Sequence, residues 1–170
     1  MLAASQEVVR RYKHSQWDVE HILLALLEQQ SGLTPEILQR LGVDGEAVKR
    51  RLESRLDAGS KVNYEAAQIY ATPRIVSLLE SASKEADHLK DDFIGTEHLL
   101  IAIAGEDKSD AMAVLTEFGI DQEKIYRALK DIRGGHRVDS PRAEGKYRSL
   151  EKYTRDLTEL ARAGKLDPVI

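Results

Sequence analysis

Ile94-Gly-Thr-Glu-His-Leu-Leu-Ile-Ala-Ile103 decides the fold, because Trp17-Asp-Val-Glu-His-Ile-Leu-Leu-Ala-Leu26 says nearly the same thing 77 positions earlier (His21 against His98). The offset holds without a gap well beyond this stretch. Leu38-Gln-Arg-Leu-Gly-Val-Asp-Gly-Glu46 matches Leu115-Thr-Glu-Phe-Gly-Ile-Asp-Gln-Glu123, and Arg50 and Leu52 match Arg127 and Leu129. Apolar character is kept where identity fails: Ile37 with Val114, Leu41 with Phe118, Val48 with Ile125. An ungapped register over about fifty residues means an internal duplication, the first thing to settle before naming a fold.

Each copy reads as helices. Leu23, Leu26 and Leu27 recur at i, i+3 and i+4, Leu99 and Leu100 stand four and three positions before Ile103, and no stretch alternates with period two. In the second copy, Thr72 caps and Pro73 opens a helix that runs to about Leu89. The next begins near Thr96, whose hydroxyl is placed to cap it. A third spans roughly Ser109 to Phe118 and stops at Gly119, a left-handed C-cap. The fourth starts around Asp121 and ends before Gly134-Gly135. The first copy repeats the plan, with Gly42 as the stop and Asp44 as the start. Its opening helix is shorter, because Met1-Leu2 aligns with Leu78-Leu79, and residues are expected to be missing from its front. The expected fold is all-α: two pseudo-symmetric four-helix repeats, about eight helices, followed by a linker and a short helix. The divisions are 1–58 for the first repeat, 59–71 for an interrepeat loop packed across both, and 72–133 for the second repeat. A Gly-, Pro-, Ser- and charge-rich linker over 134–146 and a further helical segment over 147–170 complete the chain.

Composition narrows the function. Of 170 residues, 42% are hydrophobic and 32% charged, which suits one folded domain or two small ones sharing a core. With 25 basic and 29 acidic residues the net charge is −4, so a nucleic-acid backbone or an anionic membrane has no electrostatic claim on the chain. That weighs against a helix-turn-helix nucleic-acid binder, the rival from a different class. Cysteine is absent, which removes disulfides, thiol catalysis and sulfur-based zinc sites. The apolar run Ile22 to Leu27 is far too short to span a bilayer. A cytoplasmic setting is expected. No G-x-x-x-x-G-K-[ST] phosphate loop occurs, and the five histidines show no metal-ligand spacing, so neither ATP hydrolysis nor a metal site is expected of these residues.

At the Glu-His motifs a resemblance becomes specific. The two copies resemble the paired Clp N-terminal repeat, whose second helix opens with Gly-Thr-Glu-His-Leu-Leu, intact here at Gly95 to Leu100. The first copy departs, with Asp18-Val19 in place of Gly-Thr, but keeps Glu20-His21. Ala71-Thr-Pro-Arg74 is similar to the family's interrepeat junction, and Leu150 to Ile170 resembles the lead-in to the first AAA+ module of Clp ATPases. The linker Ile132-Arg-Gly-Gly-His-Arg-Val138 and Leu150-Glu-Lys-Tyr153 look ClpB-like, while the two Glu-His motifs look as much like the protease-coupled ClpC. The resemblance implies a substrate- and adaptor-recognition domain of an AAA+ unfoldase, with unfolded or aggregated proteins and adaptors as partners. It implies a hexameric parent using ATP and Mg, whereas the isolated domain is expected to be monomeric and to carry no cofactor. In the ClpC-like alternative the ligands are adaptors or phosphoarginine-marked substrates.

By matching position, the resemblance gives Glu20 and Glu97 a role in binding, since a carboxylate suits a cationic ligand through charge-assisted hydrogen bonds. Asp91 stands where ClpB carries an implicated acidic residue, and Thr96 belongs to the same motif. The structural alternative makes Glu20 and Glu97 N3-type caps of their own helices. It leaves His21 and His98 as surface or boundary residues. Trp17 either seals the core or borders the groove.

Overall fold

Strong helix formers, few prolines and polar caps at each start leave the chain little choice but helices. The computed structural model describes residues 2–59 and 69–133. In the first repeat α1 (Leu2–Arg11), α2 (Val19–Glu28), α3 (Leu33–Arg40) and α4 (Gly45–Asp57) follow in order. The second repeat has α5 (Pro73–His88), α6 (Thr96–Ala104), α7 (Asp110–Glu117) and α8 (Gln122–Arg133). The starts of α2, α3 and α4 map onto those of α6, α7 and α8 at the 77-residue offset. The fold is all-α, with eight helices among the described residues. The sequence-based linker over 134–146, the segment 147–170 and most of the interrepeat loop lie outside them.

The start and stop signals act through named atoms. Ser109 Oγ accepts from the Met112 N–H at 3.0 Å, opening α7, and Asp44 Oδ1 accepts from the Glu46 N–H at 3.1 Å, opening α4. Gly42 and Gly119 take φ of +71° and +72° after α3 and α7, the left-handed C-cap geometry that favours glycine. The ends of α1 and α5 use the same turn with lysine instead: Lys13 and Lys90 sit at φ 57° and 59°. The next residue bonds back into the helix each time, His14 N–H to Val9 O (3.0 Å) and Asp91 N–H to Ala86 O (2.7 Å). Lysine at a left-handed position is uncommon. Here it turns His14 and Asp91 inward at equivalent places.

The core is shared. α2 and α6 pack on each other, and every residue from Val19 to Leu26 and from Thr96 to Ile103 is buried. Helices apolar all round belong in the middle of a domain. The third helices bridge the repeats: besides neighbours in its own repeat, α3 packs on α6 and α8, and α7 on α2 and α4. The two repeats therefore close one core together. Arg55 ties this junction at the surface, reaching Asp110 and Glu117 at 2.8 Å each, with Arg51 on Glu117 at 2.9 Å.

Two short strands are absent from the sequence reading. β1 (Gln16–Trp17) and β2 (Tyr70–Ala71) pair in parallel, Gln16 opposite Tyr70 and Trp17 opposite Ala71. Two residues are too few to show alternation, and the pairing is a long-range event no local pattern announces. It stitches residues 70–71 across to the first repeat.

Thr34, on α3, is fully buried with no partner for its hydroxyl. Burying an unpaired hydroxyl is unfavourable. Thr34→Val is expected to raise the unfolding free energy by up to about 1 kcal/mol in chemical denaturation.

Candidate functional site

The motif helices begin with an arrangement that corrects the sequence reading. Asp18 is the N-cap of α2 and Gly95 that of α6, so the N3 position belongs to histidine in both. His21 Nδ1 accepts from the Asp18 N–H at 2.9 Å, and His98 Nδ1 from the Gly95 N–H at 2.7 Å. Glu20 and Glu97 stand at N2 and cap neither start in the N3 manner. Thr96 is the first residue of α6, buried, and its hydroxyl is not the cap. Both histidines are interior groups, 3% and 0% exposed, not surface residues. They were mistaken because histidine can play the N3 acceptor only as one neutral tautomer, a role the usual Glu/Gln signature hides.

That tautomer also fixes the role of the other ring nitrogen. With Nδ1 accepting, Nε2 carries the proton and must donate. In the second repeat His98 Nε2–H donates to Asp91 Oδ2 at 2.7 Å. In the first, the equivalent contact is His21 Nε2–H to His14 Nδ1 at 2.8 Å. Asp91 is also gripped by Arg133 through both nitrogens, at 2.9 and 2.5 Å. The position equivalent to Arg133 is Leu56, buried in the first repeat. The pattern is consistent: a buried carboxylate has a cation beside it, and a neutral histidine has no need of one.

Glu97 is wholly buried, its Oε1 3.6 Å from His98 Nδ1. Its carboxylate folds back over Gly95, where any Cβ would overlap Glu97 Oε1. This is the physical reason for glycine before Thr-Glu-His. Where the first repeat has Asp18 instead, the equivalent carboxylate must point elsewhere. Glu20 Oε1 crosses to the other repeat and accepts from the Asp110 N–H at 3.1 Å, capping α7. Trp17 is fully buried, its Nε1–H donating to Ser5 Oγ at 2.9 Å, so it seals the core and does not border a groove.

Glu20 therefore reaches a cleft of about 520 Å³ between the repeats, lined also by His14, Asp18, His21, Arg55, Arg74 and Asp110. A second hollow of about 420 Å³, under Tyr70 and Pro73, adjoins it through Gln16, Asp18 and Arg74. Three helix N-termini meet here, those of α2, α5 and α7, and their positive ends suit carboxylates. Burial lifts the Glu20 carboxyl above its usual range, with Asp18 and Asp110 adding repulsion and Arg74 opposing it. Burial likewise lifts Glu106 to about 7, Glu20 and Asp18 raising it further against Arg74. His21 is pushed down to about 4, by burial first and by His14 second.

Of the residues picked out from sequence, only Glu20 lines this cleft. Thr96, Glu97 and Asp91 sit together in the second repeat, inside the protein, and Trp17 is in the core. The charged and histidine cleft residues that sequence reasoning missed are Arg55, Arg74, Asp110 and His14, with Glu106 near enough to feel Glu20 and Asp18. His14 was discoverable, since the offset that pairs His21 with His98 also pairs His14 with Asp91. Among the described residues no group of three or more His, Cys, Asp or Glu is arranged to hold a metal ion. No helix among them is long and apolar enough to cross a membrane.

Residues 1–140 match the Clp repeat (R) N-terminal domain. Chaperone protein ClpB 1 of Synechocystis is 44% identical over 169 residues, which cover 99% of this chain and 19% of that protein. Chaperone protein ClpB of Bacillus cereus is 40% identical over 172 residues, covering 99% and 20%. The chain spans about a fifth of the length of these curated relatives. Among solved structures, the Hsp104 N-terminal domain of Candida albicans superposes with a TM-score of 0.73 at 20% identity, over 85% of this chain and 93% of that one. The N-terminal domain of the ClpV1 ATPase of E. coli EAEC gives 0.63 at 22% identity, over 82% and 85%. At such identities the likeness concerns the fold alone.

Proposed function

The chain belongs to the Clp repeat (R) N-terminal domain family, and from that premise we propose that it receives protein substrates for a ClpB-like AAA+ chaperone through the cleft at Glu20. The whole machine would draw unfolded or aggregated chains to its ring, with this domain raising their local concentration as a tethered receptor. The relatives named ClpB support that branch over the protease-coupled one.

One observation carries the choice of site. Glu20 is the motif glutamate that faces a cleft, and it does so amid Asp18, Glu106 and Asp110, with two of the carboxyls raised by crowding and burial. A cationic side chain arriving there relieves repulsion already present and forms charge-assisted hydrogen bonds. The cleft is open and polar, which suits many sequences held weakly and released for threading. The ligand class is thus an unfolded segment bearing arginine or lysine.

Glu20→Gln keeps an acceptor for the Asp110 N–H and removes the charge. It is expected to weaken binding of an unfolded, fluorescently labelled model protein about tenfold or more, with the thermal midpoint little changed. Equal affinity for wild type and Glu20→Gln in fluorescence anisotropy would remove Glu20 from the receiving site.

A further inference from the structure

We propose that Arg74 is a tethered occupant of the cleft, a guanidinium supplied by the chain itself that an incoming cationic side chain must displace. The proposal rests on the reading of the cleft as the receiving site, and it adds a residue that sets selectivity there.

Three observations converge on Arg74. It sits in the first turn of α5, after Thr72 and Pro73, a turn with no acidic residue of its own. A cation at the positive end of a helix is electrostatically misplaced, so something beyond its own helix must hold it. That something is the opposite wall: Nη2 lies 3.8 Å from Asp18 Oδ2 and Nη1 lies 3.9 Å from Glu20 Oε1. Both separations are ion-pair distances beyond hydrogen-bond reach, and the side chain is 47% exposed.

The other arginines near the repeat junction are held differently. Arg55 makes two contacts of 2.8 Å, and Arg133 grips the buried Asp91 with both nitrogens. Those are structural pairs. Arg74 is a loose counter-ion, weakly bound and rich in rotamers, of the kind that contributes little to stability and is readily replaced. It nevertheless offsets the crowding, since its charge holds down both the Glu20 and the Glu106 carboxyls. The geometry is that of a ligand guanidinium before the ligand arrives. A guanidinium delivered by a partner, able to come within hydrogen-bond distance, gains what Arg74 forgoes, and Arg74 swings outward to solvent. The first repeat supplies Asp18 and Glu20 and the second supplies Arg74, so the device spans the junction of the two repeats.

The test is calorimetric titration of the whole chain, wild type and Arg74→Gln, with an unstructured Gly-Ser peptide carrying arginines. The same peptide with citrulline in place of arginine, and with phosphorylated arginine, gives the controls. Arg74→Gln should bind the arginine peptide roughly three- to fivefold more tightly, the scale of one exposed ion pair, and should leave the citrulline peptide unchanged. Its thermal midpoint should match wild type. Unchanged or weaker arginine-peptide binding by Arg74→Gln, with Glu20→Gln still weakening it about tenfold, would overturn the occupant while leaving the receiving cleft intact. Phosphoarginine binding that depends on Arg74 would overturn it too, since Arg74 would then be an anion contact. No binding of the arginine peptide by either protein would overturn the occupant and the cleft reading together.

Discussion

Replacing Asp91 by alanine is expected to lower the unfolding free energy by about 3–5 kcal/mol, the cost of breaking a buried ion pair from one side. The Asp91 side chain is wholly buried and accepts from His98 Nε2 and from both terminal nitrogens of Arg133. Alanine leaves the Arg133 guanidinium, 11% exposed, beside a cavity and strips His98 of the acceptor that fixes its tautomer. His98 then loses its hold on the Gly95 N–H, and the start of α6 loosens with it. For a domain of this size the thermal midpoint should drop by about 10 °C or more. The result also separates two readings of Asp91. If it were a binding residue, alanine would spare stability and cost affinity; the network makes stability the first casualty. A midpoint within a degree or two of wild type would show that the Asp91–His98–Arg133 network carries no weight.

The second large effect is in acid. His21 titrates near 4 in the folded protein against 6.5 when exposed. Between those values the unfolded chain binds a proton that the folded chain refuses, so stability falls as pH falls through that window. The full loss is roughly 3 kcal/mol. Glu106 works the other way: held near 7 against an ordinary 4.5, it takes a proton in the folded state first, and stability rises as pH drops from 7. Glu20, also raised, acts in the same direction. The opposed contributions leave wild type only weakly pH-dependent between about 6.5 and 4.5. Glu106→Gln should unmask the histidine, with urea midpoints falling steadily over that range. Adding His14→Asp to Glu106→Gln gives His21 the carboxylate partner its counterpart His98 already has, and the acid loss should largely vanish. Parallel pH profiles for Glu106→Gln and the double variant would contradict the His14–His21 contact.

Much of the fold was legible because duplication is a pattern of identities, and a fixed offset carries the starts of α2, α3 and α4 onto those of α6, α7 and α8. Ser109, Asp44, Gly42 and Gly119 do at atomic distance what their residue types announce. The site was legible only in part. Glu20, picked out through its motif, lines the cleft, but Glu97, whose motif is the intact one, is fully buried over Gly95. The difference lies in Asp18 against Gly95. Glycine leaves room for the carboxylate to fold back, and aspartate sends it across to the N-terminus of α7. Asp110 reaches Glu20 because α7 packs on α2 across the junction, and Arg74 because α5 does. Sequence spacing holds no trace of that packing.

The measurement that tests the central claim most directly is a heteronuclear NMR titration of the isotope-labelled chain with an unfolded model protein. Shifts gathering on the amides of Asp18, Glu20, Arg74 and Asp110, and lost in Glu20→Gln, are the expected result. Shifts that survive Glu20→Gln and map to another face, or no shifts at saturating ligand, would contradict a receiving cleft at the junction of the two repeats.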